Sequence, residues 1–280
     1  MARIVFLVVV AMIAFAANSV LCRLALAQTS MDPASFTLVR MLSGAAGLGL
    51  IALVRGKAMA GSWRGAAALL GYAAAFSFAY VSLPAGTGAL LLFGAVQATM
   101  VIAGLVRGEH PLPVQWFGLG LAVIGLTVLV APGVSAPPPV GAGLMLASGI
   151  AWGLYSILGR SAGDAIAVNA GNFARAVPLA LAPLAGMAVA GRLEVPAMGL
   201  AYAVLSGAVA SGLGYALWYQ VLPQLTAARA ASVQLSVPVI TALGAVALLG
   251  ETISLRLVLA SAAVLGGIAL VIAGRRKIRA

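Results

Sequence analysis

Two short aromatic series carry the most specific chemistry in this sequence. Tyr72, Phe76 and Tyr80 recur every four residues, and Tyr215 and Tyr219 repeat that spacing with Trp218 alongside. On a helix such spacing places side chains on one face, so each series predicts a ridge. Aromatic walls tipped with hydroxyls suit a small solute with an apolar or aromatic body and a polar end. Packing between helices, or an interfacial belt, is the competing use of the same rings. Asn18 with Ser19, and Tyr155 with Ser156 beside Trp152, offer hydrogen bonds suited to the backbone of an amino acid. Gln97, Gln234 and Ser236 are uncharged polar groups inside apolar runs. Helix-to-helix bonding, about 1 kcal/mol or less in measured cases, competes with solute binding for them. Arg40 and Arg175 also fall inside apolar runs, where an arginine costs about 2.5–3.5 kcal/mol on insertion scales. Either they meet a substrate carboxylate, or they donate to backbone carbonyls near Pro33 and Pro178. Pro238 removes a backbone hydrogen bond within another run, as a hinge for rocking or as a fixed kink.

Other chemistries lack their residues. All five acids, Asp32, Glu109, Asp164, Glu194 and Glu251, lie at the ends of apolar runs or between them. A buried carboxylate relay therefore has no carrier, although proton coupling through Glu109 or Glu251 stays open. Cys22 and His110 are the only cysteine and histidine, so no disulfide framework or Cys/His metal site is expected. A membrane-embedded hydrolase or transferase would need a nucleophile and base within reach of each other, so the expectation is a protein that is not an enzyme and holds no cofactor. The net charge of +11 comes from 16 scattered basic residues. Their places near span ends fit lipid headgroups better than nucleic acid. The partners expected are a small-molecule substrate and the lipid bilayer. The sequence leaves the oligomeric state open, and a monomer suffices.

The elements that must position these residues are membrane helices. Apolar residues make up 63% of the chain and charged ones 8%, with a mean hydropathy of +1.14, far from a soluble domain. Spans are predicted at 4–22, 33–54, 65–83, 85–106, 114–131, 140–159, 165–190, 196–221, 226–249 and 256–273. The uncharged stretch 65–106 must fold back, at Ser82-Leu83-Pro84-Ala85, and Leu222-Pro223-Gln224 breaks the run from 196 to 249. Arg3 followed by an apolar run and Ala25-Leu26-Ala27 imitates a secretory leader, but the run reaches Cys22 and has a counterpart in the second half. With an inside N-terminus, ten basic residues fall on the inner side (Arg3, Arg55, Lys57, Arg64, Arg107, Arg160, Arg275, Arg276, Lys277, Arg279). Only Arg23, Arg192 and Arg256 fall outside. That bias predicts cytoplasmic termini.

The same unit occurs twice. Phe15-Ala16-Ala17-Asn18-Ser19 with Arg23 matches Trp152-Gly153-Leu154-Tyr155-Ser156 with Arg160 at an offset of 137. Arg40 matches Arg175 at 135, and Phe76, Tyr80 and Pro84 match Tyr215, Tyr219 and Pro223 at 139. Thr99, Gly108, Glu109 and Gly125 match Thr241, Gly250, Glu251 and Gly267 at 142. Five spans per unit force the second copy to lie inverted in a bilayer, with a seam at mid-membrane. The fold class expected is an all-α polytopic membrane protein of ten transmembrane helices in two inverted five-helix repeats, residues 1–133 and 134–280. An uncharged, proline-stiffened linker from Ala131-Pro132-Gly133 to Pro137-Pro138-Pro139 joins them.

Trp152-Gly153, the paired arginines, the two Tyr-x-x-x-Pro turns and the two Gly-Glu span ends resemble the EamA-type family of the drug/metabolite transporter superfamily. Within it, the chain looks most like the YddG-like aromatic amino-acid exporters. Phe15-Ala16 departs from the family's usual Trp-Gly in the first repeat. The resemblance implies export of small metabolites through a bacterial inner membrane. Aromatic ridges on helices that are repeat mates add the expectation of amino-acid cargo, aromatic or broadly neutral, moved by alternating access without obvious ion coupling. A nucleobase, sugar or drug-like molecule on the same scaffold is the alternative.

Overall fold

A computed structural model describes residues 2–106, 108, 112–133, 136–159, 163–221, 224–225 and 233–274. Arg107, Glu109, His110, Arg160, Leu222, Pro223, Arg229 and the basic tail from Arg275 lie outside the described residues. The rest forms ten helices and, among the described residues, no strand. In the first half these are α1 (Ala2–Gln28), α2 (Pro33–Val54), α3 (Trp63–Tyr80), α4 (Ala85–Val106) and α5 (Pro113–Val130). In the second they are α6 (Pro139–Gly159), α7 (Ala165–Val189), α8 (Ala197–Val221), α9 (Ser236–Leu249) and α10 (Leu255–Gly274).

Eight of the helices are long and apolar enough to cross a bilayer, and α9 is a shorter apolar helix. Helices apolar all round cannot face water on one side, so they are stable only when lipid or other helices surround them. Polar residues set their ends. One carboxylate oxygen of Asp32 accepts from the backbone nitrogens of Ala34 and Ser35, and Asp164 does the same for Ile166 and Ala167. Each thus caps the second helix of its repeat. The turn at Ser82 to Pro84 falls where the sequence requires it, and α4 begins at Ala85.

Two boundaries differ from expectation. Helix α1 continues past residue 22 to Gln28, which brings Arg23 inside it. Pro238 was expected midway along the ninth span; it sits in the first turn of α9. Val233 and Gln234 are helical, then Leu235 breaks the run as a turn. The break falls where proline puts it: Pro238 has no N–H for the carbonyl of Gln234, four residues back, and its ring crowds that carbonyl. The Ser236 hydroxyl takes up the neighbouring carbonyl of Val233 at 2.7 Å.

Helix α2 packs on α7, α4 on α9 and α5 on α10; the α3–α6, α4–α6 and α3–α7 contacts are mirrored by α8–α1, α9–α1 and α8–α2. Exchanging the two repeats leaves this set of neighbours unchanged. The directions are opposed. Gly118 of α5 abuts the Gly267 backbone of α10, while Gly125, further along α5, abuts the carbonyl of Ala260, further back on α10. Those two contacts are themselves related by the 142-residue offset, since Gly125 pairs with Gly267 and Gly118 with Ala260. A side chain at Gly118 or Gly267 would run into the partner's carbonyl, so this crossing is built on backbone contact.

Candidate functional site

A cleft opens where the two repeats meet. Helix α1 contributes Phe15, Asn18 and Ser19 to its wall, and α3 contributes Tyr72 and Phe76. Across from them, α6 supplies Trp152 and α8 supplies Ala210, Ser211 and Tyr215. Leu92 and Phe93 of α4 and Gln234, at the break before α9, complete it. Four pairs of these residues are repeat mates: Phe15 with Trp152, Tyr72 with Ser211, Phe76 with Tyr215, and Leu92 with Gln234. The cleft therefore straddles the pseudo-axis.

Its walls are rings in contact. Trp152 lies 4.8 Å from Tyr72, 5.2 Å from Tyr215 and 5.5 Å from Tyr155 between ring centres. Phe15 meets Tyr215 edge-on at 5.8 Å. Such tilted and edge-on pairs are the favoured geometries. The space that water can enter is about 30 Å³, enough for one or two waters and far too small for an amino acid. A solute of that size would fit only if the cleft were wider than it is here.

One side of the cleft is backed by a buried guanidinium. Arg40 of α2 has no exposed surface. Its Nη2 donates to the Tyr72 hydroxyl at 2.9 Å and its Nε to the Ser211 hydroxyl at 3.2 Å. The charge lies 5.0 Å from the Tyr72 ring centre and 5.1 Å from that of Phe76, a cation–π arrangement. Among the described residues, Nη1 has no hydrogen-bond partner and the only ion pair joins Arg23 to Glu251. The network continues to α1: Asn18 donates its amide to the Tyr72 oxygen at 3.2 Å and accepts from Ser206 at 2.6 Å. Among the described residues, no carboxylate lines the cleft.

The local structure of α8 makes this arrangement possible. From Leu205 to Leu213 the helix is wound as a π-helix, with wider turns than its flanks. Gly207 in that segment lies against the Arg40 backbone and Ser43 of α2, where no side chain would fit. Thr37, Ser43, Ser77 and Thr99 donate their hydroxyls to the carbonyl four residues back. Ser211 instead turns to Arg40. Ser206, in the same segment, donates to the Asn18 amide oxygen at 2.6 Å.

The other sequence-predicted residues lie elsewhere. The Tyr80 hydroxyl donates to the carbonyl of Ala85 in the α3–α4 turn. Tyr155 bonds Asn169 and accepts from Asn172 of α7, and Ser156 donates to the Trp152 carbonyl. Trp218 packs 6.0 Å from Phe15, outside the cleft wall. Gln97, Tyr219 and Ser236 are half-buried and do not line the cleft. Arg175 lies apart from its mate Arg40: its Nη1 donates to the carbonyls of Ala60, at 2.6 Å, and Gly171, at 3.0 Å, tying the α2–α3 loop to α7. Of the named candidates, Asn18, Ser19, Tyr72, Phe76, Trp152, Tyr215 and Gln234 come together, with Arg40 behind them. Phe15, Ser211, Leu92, Phe93 and Ala210 were not singled out. The first two are mates of Trp152 and Tyr72, so the repeat offset pointed to them; the others carry no signal beyond an apolar side chain.

At the face opposite the start of α1, the two repeats are tied. Arg23 Nε pairs with Glu251 Oε1 at 3.2 Å, and Arg23 Nη1 reaches the carbonyls of Tyr80, at 2.9 Å, and Val81, at 3.0 Å. The other Glu251 oxygen accepts from the Ala85 nitrogen at 2.8 Å. A cavity of about 300 Å³ lies beside it, lined partly by Thr87 and Ser254. Separating the repeats at this face breaks the pair, which is less than one-fifth exposed. In a Cys22→Ser background, a cysteine placed at Thr87 reports access to this cavity. Glu251→Gln is expected to raise its labelling by an impermeant thiol reagent about fivefold, a loss near 1 kcal/mol; an unchanged rate shows that the pair does not hold the face closed.

Similarity to known proteins follows the same division. The sequence profile of the EamA-like transporter family matches residues 2–131 and again 139–273. The chain is 58% identical over 276 residues to the uncharacterized protein PA1977 of Pseudomonas aeruginosa, covering 98% of this chain and 96% of that one. It is 27% identical over 192 residues to a "probable terminal-alkyne amino-acid exporter" of Streptantibioticus cattleyicolor, covering 67% of this chain and 64% of that protein. A solved crystal structure superposes with a TM-score of 0.64 at 22% identity over 93% of this chain and 97% of its own, a likeness of fold. With ten helices in two opposed repeats and a match spanning both, this chain is a multi-pass membrane protein that belongs to the EamA-like transporter family.

Proposed function

We propose that this protein exports amino acids, aromatic or broadly neutral, across the bacterial inner membrane by alternating access, with both termini in the cytoplasm. The observation that carries the reading is Arg40: a fully buried guanidinium with one nitrogen unpartnered among the described residues, behind an aromatic cleft on the pseudo-axis. A cation buried without a counter-charge is costly, and a substrate carboxylate relieves that cost. The rings of Phe15, Tyr72, Phe76, Trp152 and Tyr215 suit an apolar or aromatic side chain. The amino-acid exporter among the relatives supports the cargo class, and ten basic residues on one side against three on the other support the orientation. Among the described residues the cleft wall carries no carboxylate, which favours facilitated movement over proton coupling.

The test is counterflow in proteoliposomes with a panel of labelled amino acids, with and without a pH gradient. Saturable exchange of phenylalanine, tyrosine, tryptophan or the large neutral amino acids, unaffected by the gradient, is the expected result. Exchange of none of them removes the cargo assignment, and accumulation driven by the gradient removes the facilitative scheme.

A further inference from the structure

The polar groups at the cleft wall differ in what they have left to offer. The Tyr72 oxygen already accepts two hydrogen bonds, from Arg40 and Asn18, and its own hydrogen has no acceptor among the described residues. The Ser211 oxygen accepts from Arg40, and its hydrogen is likewise without an acceptor there. Asn18 has its carbonyl oxygen occupied by Ser206 and one amide hydrogen on Tyr72, which leaves a second amide hydrogen. Each of the three side chains lines the cleft. Each therefore presents an unused donor hydrogen; the Tyr72 oxygen has both lone pairs taken, the Ser211 and Asn18 oxygens one each, and the Arg40 charge behind them polarises the hydroxyls further.

A face made of donors in front of a cation recognises an acceptor that carries negative charge. It suits an ammonium group poorly, because an ammonium needs acceptors and avoids a cation. Among the described residues the cleft wall holds no carboxylate; an ammonium would have neutral acceptors, the Ser19 hydroxyl, the Gln234 amide oxygen and the remaining lone pairs of Ser211 and Asn18, with ring faces beside them, while the Arg40 charge opposes it. We infer that Tyr72, Ser211 and Asn18 form a carboxylate subsite charged from behind by Arg40, that the site reads its cargo by the carboxylate and not by the ammonium, and that its substrates extend to aromatic monocarboxylates lacking an amino group. The inference rests on the export reading above and narrows what that site selects.

Three probes separate the two ends of the cargo: L-phenylalanine, 3-phenylpropanoate and 2-phenylethylamine. Binding is read as the ligand-induced rise in melting temperature of the full chain in detergent, and as competition with labelled phenylalanine in counterflow. Expected is that 3-phenylpropanoate binds within about tenfold of phenylalanine and at least about tenfold more tightly than 2-phenylethylamine. An amine that matches the acid, or an acid that falls further below phenylalanine, overturns the inference and leaves the export reading standing. No response to any of the three overturns this inference and removes phenylalanine from the cargo, and the export reading is then decided by the other amino acids of the counterflow panel. Tyr72→Phe and Ser211→Ala each remove one free donor hydrogen. Both are expected to lower the ratio of acid to amine affinity by about tenfold. A variant that merely loosens the helices weakens both ligands together, so an unchanged ratio in both variants overturns the assignment of these hydroxyls.

Discussion

An Arg40→Met protein is expected to melt no lower than the parent in detergent, and yet to bind phenylalanine about 10–100-fold more weakly. The two effects have opposite signs because Arg40 is a burden to the empty protein. Its side chain is fully buried, one nitrogen is unpartnered, and among the described residues no carboxylate pairs with it. Replacing even a buried ion pair by apolar side chains of similar volume is often neutral or stabilising by about 1–4 kcal/mol, and Arg40 has no such pair to lose among the described residues. Methionine keeps contact with the Tyr72 and Phe76 rings through its thioether, and the Tyr72 oxygen retains its bond from Asn18. Binding loses the charge that draws the carboxylate and polarises the two hydroxyls. Arg40→Lys is expected to fall between, since an ammonium keeps the charge but cannot serve Tyr72 and Ser211 as a planar fork. If Arg40→Met melts well below the parent and still binds phenylalanine normally, Arg40 is a structural tie between α2, α3 and α8.

Arg175 gives the contrast, and it shows how far sequence carries. Both arginines lie inside apolar runs of the second helix of a repeat, 135 residues apart, and nothing local separates them. The difference is tertiary. The carbonyl of Ala60 comes so close to Gly171 that no side chain fits between them, and Arg175 is captured by that loop. The same limit applies to the aromatic ridges. Four-residue spacing places Tyr72, Phe76 and Tyr80 on one face, but it also spreads them over eight residues, or about 12 Å of helix. Tyr72 and Phe76 line the cleft, whereas Tyr80 does not and bonds the carbonyl of Ala85 at the start of α4. What the repeat makes legible is position relative to the axis: the offset that relates Tyr72 to Ser211 and Phe15 to Trp152 names two cleft residues that chemistry alone passes over. The π-wound segment of α8 has no such signal. Its small residues read as packing, and only the approach of α2 shows why one of them, Ser211, turns to Arg40.

Trp152→Ala carries the larger loss. Its indole touches Tyr72, Tyr155 and Tyr215 with ring centres between 4.8 and 5.5 Å, so it joins α3 and α8 across the cleft while forming part of the wall. Removing it deletes three ring contacts and an apolar surface that cargo would cover. Affinity for phenylalanine is expected to fall about 100-fold, near 3 kcal/mol, in the range of a buried tryptophan anchor. Trp152→Phe restores a ring and should recover most of that loss, because Phe15, its repeat mate, already does the equivalent work from α1 with a phenyl ring. The reverse exchange, Phe15→Trp, adds volume to a cleft whose water-accessible space is only about 30 Å³. It should reject tryptophan more strongly than smaller neutral amino acids, since overpacking is felt first by the largest cargo. Measured together by competition in proteoliposomes, the three variants test the cleft as a size filter. Equal affinity for all cargo in Phe15→Trp and the parent would place the transport path elsewhere, because a larger ring in the cleft wall would narrow the space available to cargo however far the cleft opens.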